Sequence, residues 1–158
     1  MSKVINAAIV GLGRWGQLLV SSVDQSNSIR FTRAITRTPS KVKEFCAERE
    51  IALSDSLQDA LADSSIDAVV IATPHSQHFE QLMAVAAAGK HVFCEKPPSR
   101  SSKELSPIKK LIQGTNLKLK YGFNHRYHSS ILKAFEIINS KDFGKIVAMR
   151  GIYGKSKI

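Results

Sequence analysis

Short apolar runs alternate along this chain with segments whose apolar residues recur every third or fourth position. The runs Val4–Val10, Ile29–Ile35, Ala68–Ala72, His91–Glu95 and Leu117–Tyr121 predict strands. Between them, Trp15, Leu18, Leu19 and Val23 share one helical face. Thr38-Pro39 is a helix-start signal for Ser40–Arg49, which should bury Val42, Phe45 and Cys46. Ser54–Ala62 predicts a short helix, and His78–Ala88 a longer one closed by Gly89. Ser101 and Glu104 match a capping box opening a helix to Gln113, with Pro107 awkward inside it. The stretch at 68–72, Ala-Val-Val-Ile-Ala, is apolar throughout, as befits a parallel strand covered on both faces. Strands alternating with helices across short connections predict an α/β fold, a doubly wound parallel sheet with right-handed crossovers. After Tyr121 the pattern changes. The polar aromatic stretch Gly-Phe-Asn-His-Arg-Tyr-His precedes a helix over Ser129–Asn139 and a strand over Lys145–Tyr153.

Composition narrows the class. At 158 residues with 43% hydrophobic content, the chain suits one compact globular domain, not a disordered or collagen-like chain. No stretch approaches the ~18 consecutive apolar residues of a membrane span. The N-terminal apolar run leads into glycines instead of a cleavage site, so cytoplasm is the default compartment. Two cysteines, Cys46 and Cys94, suit a reducing environment, each as a small buried hydrophobe. The net charge of +10 is unevenly placed: 9 basic and 10 acidic side chains lie up to Glu95, and 14 and 3 after it. Such a basic half invites a nucleic-acid reading. The basic residues are dispersed, aromatic content is 7%, and no helix-turn-helix, zinc-finger or RNA-recognition signature is present, so a nucleic-acid partner is not expected.

The chemistry begins at Gly11-Leu-Gly13-Arg14-Trp15-Gly16, a G-x-G-x-x-G run between the first strand and the first helix, the context this motif requires. Gly11 allows the tight turn, Gly13 lets backbone approach a pyrophosphate, and Gly16 lets the helix pack close to the strand. The helix N-terminus then offers free N–H groups to the phosphates. About 20 residues past the last glycine, where an NAD-preferring site carries Asp or Glu, stand Thr36 and Arg37. A hydroxyl and a guanidinium can bind a 2′-phosphate, which tips the expectation slightly toward NADP over NAD. The alternative is a solvated Arg37 that stacks on adenine in either cofactor.

Thr73-Pro74-His75-Ser76-Gln77-His78 follows the apolar strand at 68–72, and Cys94-Glu95-Lys96-Pro97-Pro98 follows the next. Together with the glycine loop and Gly-Phe-Asn-His-Arg-Tyr at 122–127, in that order, these motifs resemble the Gfo/Idh/MocA oxidoreductases, the family of glucose–fructose oxidoreductase and inositol dehydrogenase. The resemblance covers nearly the whole chain, and Glu95-Lys96-Pro97 is its most specific part. It implies a Rossmann-type NAD(P)-binding domain over residues 1–122 and an NAD(P)-dependent dehydrogenase acting on a sugar or cyclitol hydroxyl. It makes Lys96 the catalytic lysine, beside the nicotinamide and the reacting hydroxyl, where an ammonium stabilises developing negative charge. Glu95 would contact the nicotinamide ribose, and Pro97 would shape the wall of that site. Arg14 and Trp15 join the glycines in the cofactor set. Thr73, Pro74 and His78 would line the groove, and Asn124 and Arg126 would sit at its edge, Arg126 within reach of the cofactor.

Plainer readings stand beside these. Lys96 without its motif would be a surface lysine, Trp15 a packing residue and Cys94 an inert thiol. His75/His78 and His125/His128 are three apart but lack the Cys or carboxylate companions of a metal site, so none is expected. Members of the resembled family are much longer, with a second α+β domain that holds substrate, usually mediates oligomerisation and carries an Asp/His-type pair. A homo-oligomer is therefore among the implied partners. Residues 123–158 correspond to the start of that domain, one helix and one strand, and no His or Asp follows Asp142. The expectation is a fragment of such an oxidoreductase or a short protein keeping the nucleotide module, and the alternative function is a non-catalytic dinucleotide-binding or redox-sensing module.

Overall fold

The computed structural model describes residues 3–152 and 154. The chain divides into two compact units, Met1–Gly122 and Phe123–Ile158. The first holds β1 (Ile5–Val10), α1 (Arg14–Ser21), β2 (Ile29–Ile35), α2 (Lys43–Ala47), β3 (Ala52–Ser54), α3 (Leu57–Ala62), β4 (Ala68–Ile71), α4 (His75–Ala87), β5 (His91–Cys94), α5 (Leu105–Ile112) and β6 (Leu119–Tyr121). The six strands form one sheet in the order β3-β2-β1-β4-β5-β6, every adjacent pair parallel. This is the doubly wound Rossmann order, in which the order of winding reverses between β1 and β4.

The apolar strands are explained by two cores. Ala8 and Val10 of β1 and Val69 and Ile71 of β4 face α4 and α5, packing with Leu82, Val85 and Ile108. Their neighbours Ala7, Ile9 and Val70 face the other way, with Val20 of α1 and Val42 and Cys46 at α2. Since side chains alternate across a strand, covering both faces removes any polar position from the middle of the sheet.

Departures from the sequence pattern have local causes. The strand β3 lies at the sheet edge, paired only with β2, and three residues are too few to show a period. The helix expected over Ser40–Arg49 splits into a 3-10 turn at Pro39–Val42 and then α2, because Val42 leaves helical geometry at φ −128°, ψ 12°. The helix α4 starts at His75, three residues before His78, since Pro74 is already extended at ψ 144° and hands the chain directly into the first turn. Gly89 ends it with φ +73°, and the Lys90 N–H then reaches back to the Val85 carbonyl. Pro107 is the third residue of α5, where its missing N–H leaves no helical bond unmade. The capping pair is offset: the Ser101 hydroxyl accepts from Lys103 N–H, and the Glu104 carboxylate accepts from Arg100 N–H, one residue upstream of a regular box.

The second unit contains a 3-10 turn at Asn124–Tyr127 and α6 (Ser129–Ile138). The His128 ring nitrogen accepts from Ser130 N–H and caps α6. No strand forms over residues 145–152, and Tyr153, the last residue of the expected strand, lies outside the described residues. A strand needs a neighbour for its N–H and C=O groups, and among the described residues none pairs here. Val147, Met149 and Ile152 are exposed as a result.

Asp67 ties the start of β4 to the chain's first strand. Its carboxylate accepts from the Lys3 ammonium at 2.6 Å and the Asn6 N–H at 3.0 Å, and these bonds hold it below the usual carboxylate range. A depressed carboxyl contributes stability above its ordinary value that is lost as pH falls through the lowered one. Urea unfolding between about pH 5 and pH 2 should show a smaller loss of midpoint for Asp67→Asn than for the unaltered chain.

Candidate cofactor site

The C-terminal ends of the strands are stitched together by single hydrogen bonds that continue the sheet ladder. Gly11 N–H donates to Ile35 O at 2.8 Å and Ala72 N–H to Val10 O at 2.8 Å. Glu95 N–H donates to Ile71 O at 2.9 Å and Gly122 N–H to Cys94 O at 2.9 Å. The glycine loop, Thr36, Thr73 and Glu95 therefore leave the sheet at one edge, around the crevice where β1 and β4 diverge. In open α/β sheets this crevice is where ligands bind.

The three glycines have three distinct jobs. Gly11 has φ +92°, and a Cβ there would sit 2.7 Å from the Ala72 carbonyl oxygen. At Gly16 a Cβ would collide with the Gly11 carbonyl oxygen, so α1 can lie this close only with glycine there. Gly13 has an ordinary φ of −73°, and its Cβ would meet no atom within 4 Å. Its glycine is thus unexplained by folding and explained by open space kept beside the backbone. The first turn of α1 has no side-chain cap and no acidic residue, so its free N–H groups and partial positive charge remain available to an anion. These features fit a dinucleotide pyrophosphate. Arg14 and Trp15 project from the same turn, both exposed.

At the end of β2, Thr36 N–H donates to Ser54 O, and the Thr36 hydroxyl accepts from Thr38 N–H at 3.4 Å. No carboxylate stands at this position. Arg37 is exposed and has no ion pair or hydrogen bond among the described residues.

After β4, the Thr73 hydroxyl donates to the Gln81 amide oxygen at 2.6 Å, and Pro74 is exposed. His78 lies under this loop, fully buried, its ring nitrogens 2.8 Å from Thr73 O and 2.7 Å from Pro97 O. After β5, the Glu95 carboxylate is buried against Gly122 and accepts from Lys96 N–H at 3.3 Å. A Cβ on Gly122 would lie 2.5 Å from a Glu95 carboxylate oxygen, so this glycine makes the carboxylate's room. Lys96 itself is exposed, with no partner for its ammonium among the described residues, and the Lys96–Pro97 bond is cis. Burial, reinforced by the nearby Glu95 charge, pushes the Cys94 thiol up to about 12, which leaves it protonated and unreactive at neutral pH.

Asn124 and Arg126 belong to the second unit, where both are exposed in the 3-10 turn. His75 and His78 meet edge to face, with ring centroids 5.6 Å apart. No group of three or more metal-ligating side chains occurs among the described residues. Sequence reasoning missed two supporting residues, Gln81 and Gly122. Gln81 sits eight residues past Thr73 and carries no motif signal, whereas Gly122 opens the Gly-Phe-Asn-His-Arg-Tyr stretch and could have been noticed there.

The glycine geometry separates folding from binding. Gly16→Ala should cost about 3 kcal/mol of stability in urea unfolding through its clash with Gly11. Gly13→Ala should stay within about 1 kcal/mol of the unaltered chain and instead weaken dinucleotide binding about tenfold, read by fluorescence titration.

Known proteins resemble this chain in sequence and in fold. Scyllo-inositol 2-dehydrogenase (NAD(+)) of Bacillus subtilis is 28% identical over 158 residues, covering 96% of this chain and 45% of its own. An inositol 2-dehydrogenase of Rhizobium meliloti is 26% identical, covering 90% and 43%. The crystal structure of scyllo-inositol dehydrogenase from Lactobacillus casei, with bound NAD(H) and scyllo-inositol, superposes with a TM-score of 0.79 at 29% identity, covering 86% of this chain and 41% of that one. The chain thus spans less than half the length of these relatives. Residues 5–123 match the Gfo/Idh/MocA family, described as an oxidoreductase family with an NAD-binding Rossmann fold. On that match the groove's cofactor class is a nicotinamide dinucleotide, and the chain belongs to the Gfo/Idh/MocA oxidoreductase family.

Proposed function

We propose that this chain forms the nucleotide-binding part of an NAD(P)-dependent dehydrogenase acting on a sugar or cyclitol hydroxyl. The observation that carries the reading is the convergence of the glycine loop, Thr73, Glu95 and Lys96 at one end of the sheet, with the Lys96 ammonium unpaired among the described residues. The inositol dehydrogenases among its relatives supply the substrate class. In this reading the second unit is the start of a substrate domain.

The dinucleotide, when bound, supplies the hydride acceptor or donor. The residues of the chain do the rest. Gly11, Gly13, Arg14, Trp15 and Gly16 hold the pyrophosphate end through backbone N–H groups and the α1 dipole. Thr36 and Arg37 receive the adenosine ribose, and the absence of a carboxylate there favours a 2′-phosphate, hence NADP. Thr73, Pro74 and Pro97 shape the nicotinamide end, where Glu95 meets the ribose. As a carbinol carbon loses hydride and its oxygen loses a proton, the Lys96 ammonium stabilises the charge developing on that oxygen.

Two measurements test this. Fluorescence titration should give tighter binding of NADPH than of NADH; tighter NADH binding would sink the NADP preference, and binding of neither would sink the whole reading. Lys96→Ala should lower turnover of a cyclitol by about 100- to 1,000-fold while changing dinucleotide affinity less than about threefold.

A further inference from the structure

The segment that carries Lys96 has few ways to be held. Pro97 and Pro98 follow it directly, and neither has an N–H, so this stretch of backbone can only accept hydrogen bonds. On its near side, Glu95 N–H is tied to β4 and the Glu95 carboxylate takes the Lys96 N–H. On its far side, the Pro97 carbonyl meets the His78 ring at 2.7 Å.

The His78 ring is an unusual donor. It is 0% exposed, in the first turn of α4, and its second nitrogen lies 2.8 Å from the Thr73 carbonyl. Both partners are carbonyl oxygens, which only accept; a neutral imidazole carries one N–H, so it donates to one of them while its other nitrogen rests against the second. The ring therefore bridges the loop after β4 to the loop after β5. Those two loops form opposite sides of the nicotinamide end under the function proposed above. Packing alone does not call for imidazole here, since an aromatic hydrocarbon of similar size would fill the space but leave a part-buried carbonyl without its ring donor.

We propose that His78 is a positioning residue for Lys96, a buried clamp that sets the Lys96-Pro97 loop against the Thr73 loop and so fixes where the ammonium stands relative to the groove. This rests on the reading of Lys96 as the residue at the reacting hydroxyl. His78 touches neither cofactor nor substrate in this role, and it differs there from a groove-lining residue.

The test compares two ligands on the full chain. NADH occupies both ends of the groove, whereas ADP-ribose lacks the nicotinamide. Loss of the clamp in His78→Phe should weaken NADH about tenfold and leave ADP-ribose within about twofold. His78→Gln, which keeps N–H donors, should recover part of the NADH affinity. An equal loss for both ligands would mark His78 as merely structural and overturn the proposal, as would unchanged NADH binding in His78→Phe. Failure of the unaltered chain to bind either NADH or NADPH would instead overturn the functional reading. Should either variant fail to fold, nitrogen-15 NMR of the unaltered chain decides: the His78 ring N–H proton should exchange slowly with solvent, and fast exchange would overturn the clamp.

Discussion

Everything at the cofactor end of this protein depends on how closely backbone can approach backbone where β1 meets β4 and α1. The turn at Gly11 lies against the Ala72 carbonyl, and α1 at Gly16 lies against the Gly11 carbonyl, with no space for a Cβ at either place. That double approach brings the free end of α1 to the crevice of the sheet. Loosening it by one methyl group would push the helix outward and move its N–H groups away from the phosphate position.

The other half of the site is held by a different device. Instead of close packing, the loop after β5 is restrained by polar contacts: the Glu95 carboxylate in the room left by Gly122, and the Pro97 carbonyl on His78. Two prolines strip the loop of donors, so acceptors must find donors elsewhere. The loop is thereby tied on both sides of Lys96 while the lysine's own side chain is left exposed. The basic excess after Glu95 takes on a different look in this light. Lys96 has a place in the proposed site, whereas Lys109 and Lys110 sit exposed on α5 as solvated surface.

Much of the first unit was legible in the residues. The all-apolar run at 68–72 implied a strand covered on both faces, and Val69/Ile71 against Val70 show those two faces. The strand–glycine–helix context at 11–16 announced the turn, and the missing acid at Thr36 was visible directly. What stayed illegible was short or non-local. The three-residue β3 has no period to read, and the split of the helix after Pro39 turns on the backbone angles of a single residue, Val42. The strand expected to begin at Lys145 has the right residues but no neighbour to pair with among the described residues, and pairing is not a property of a strand's own sequence.

By itself, the sequence determined the parallel α/β architecture and the glycine turn, because periodicity and motif spacing are local in the chain, and its motifs carried the resemblance to the family. The tertiary structure decided what those residues do to one another. It placed the fully buried His78 between two carbonyls 24 residues apart, and it gave Gly122 the job of making room for a carboxylate 27 residues earlier. Contacts of that kind depend on which loops the sheet brings side by side, and no spacing along the chain encodes them.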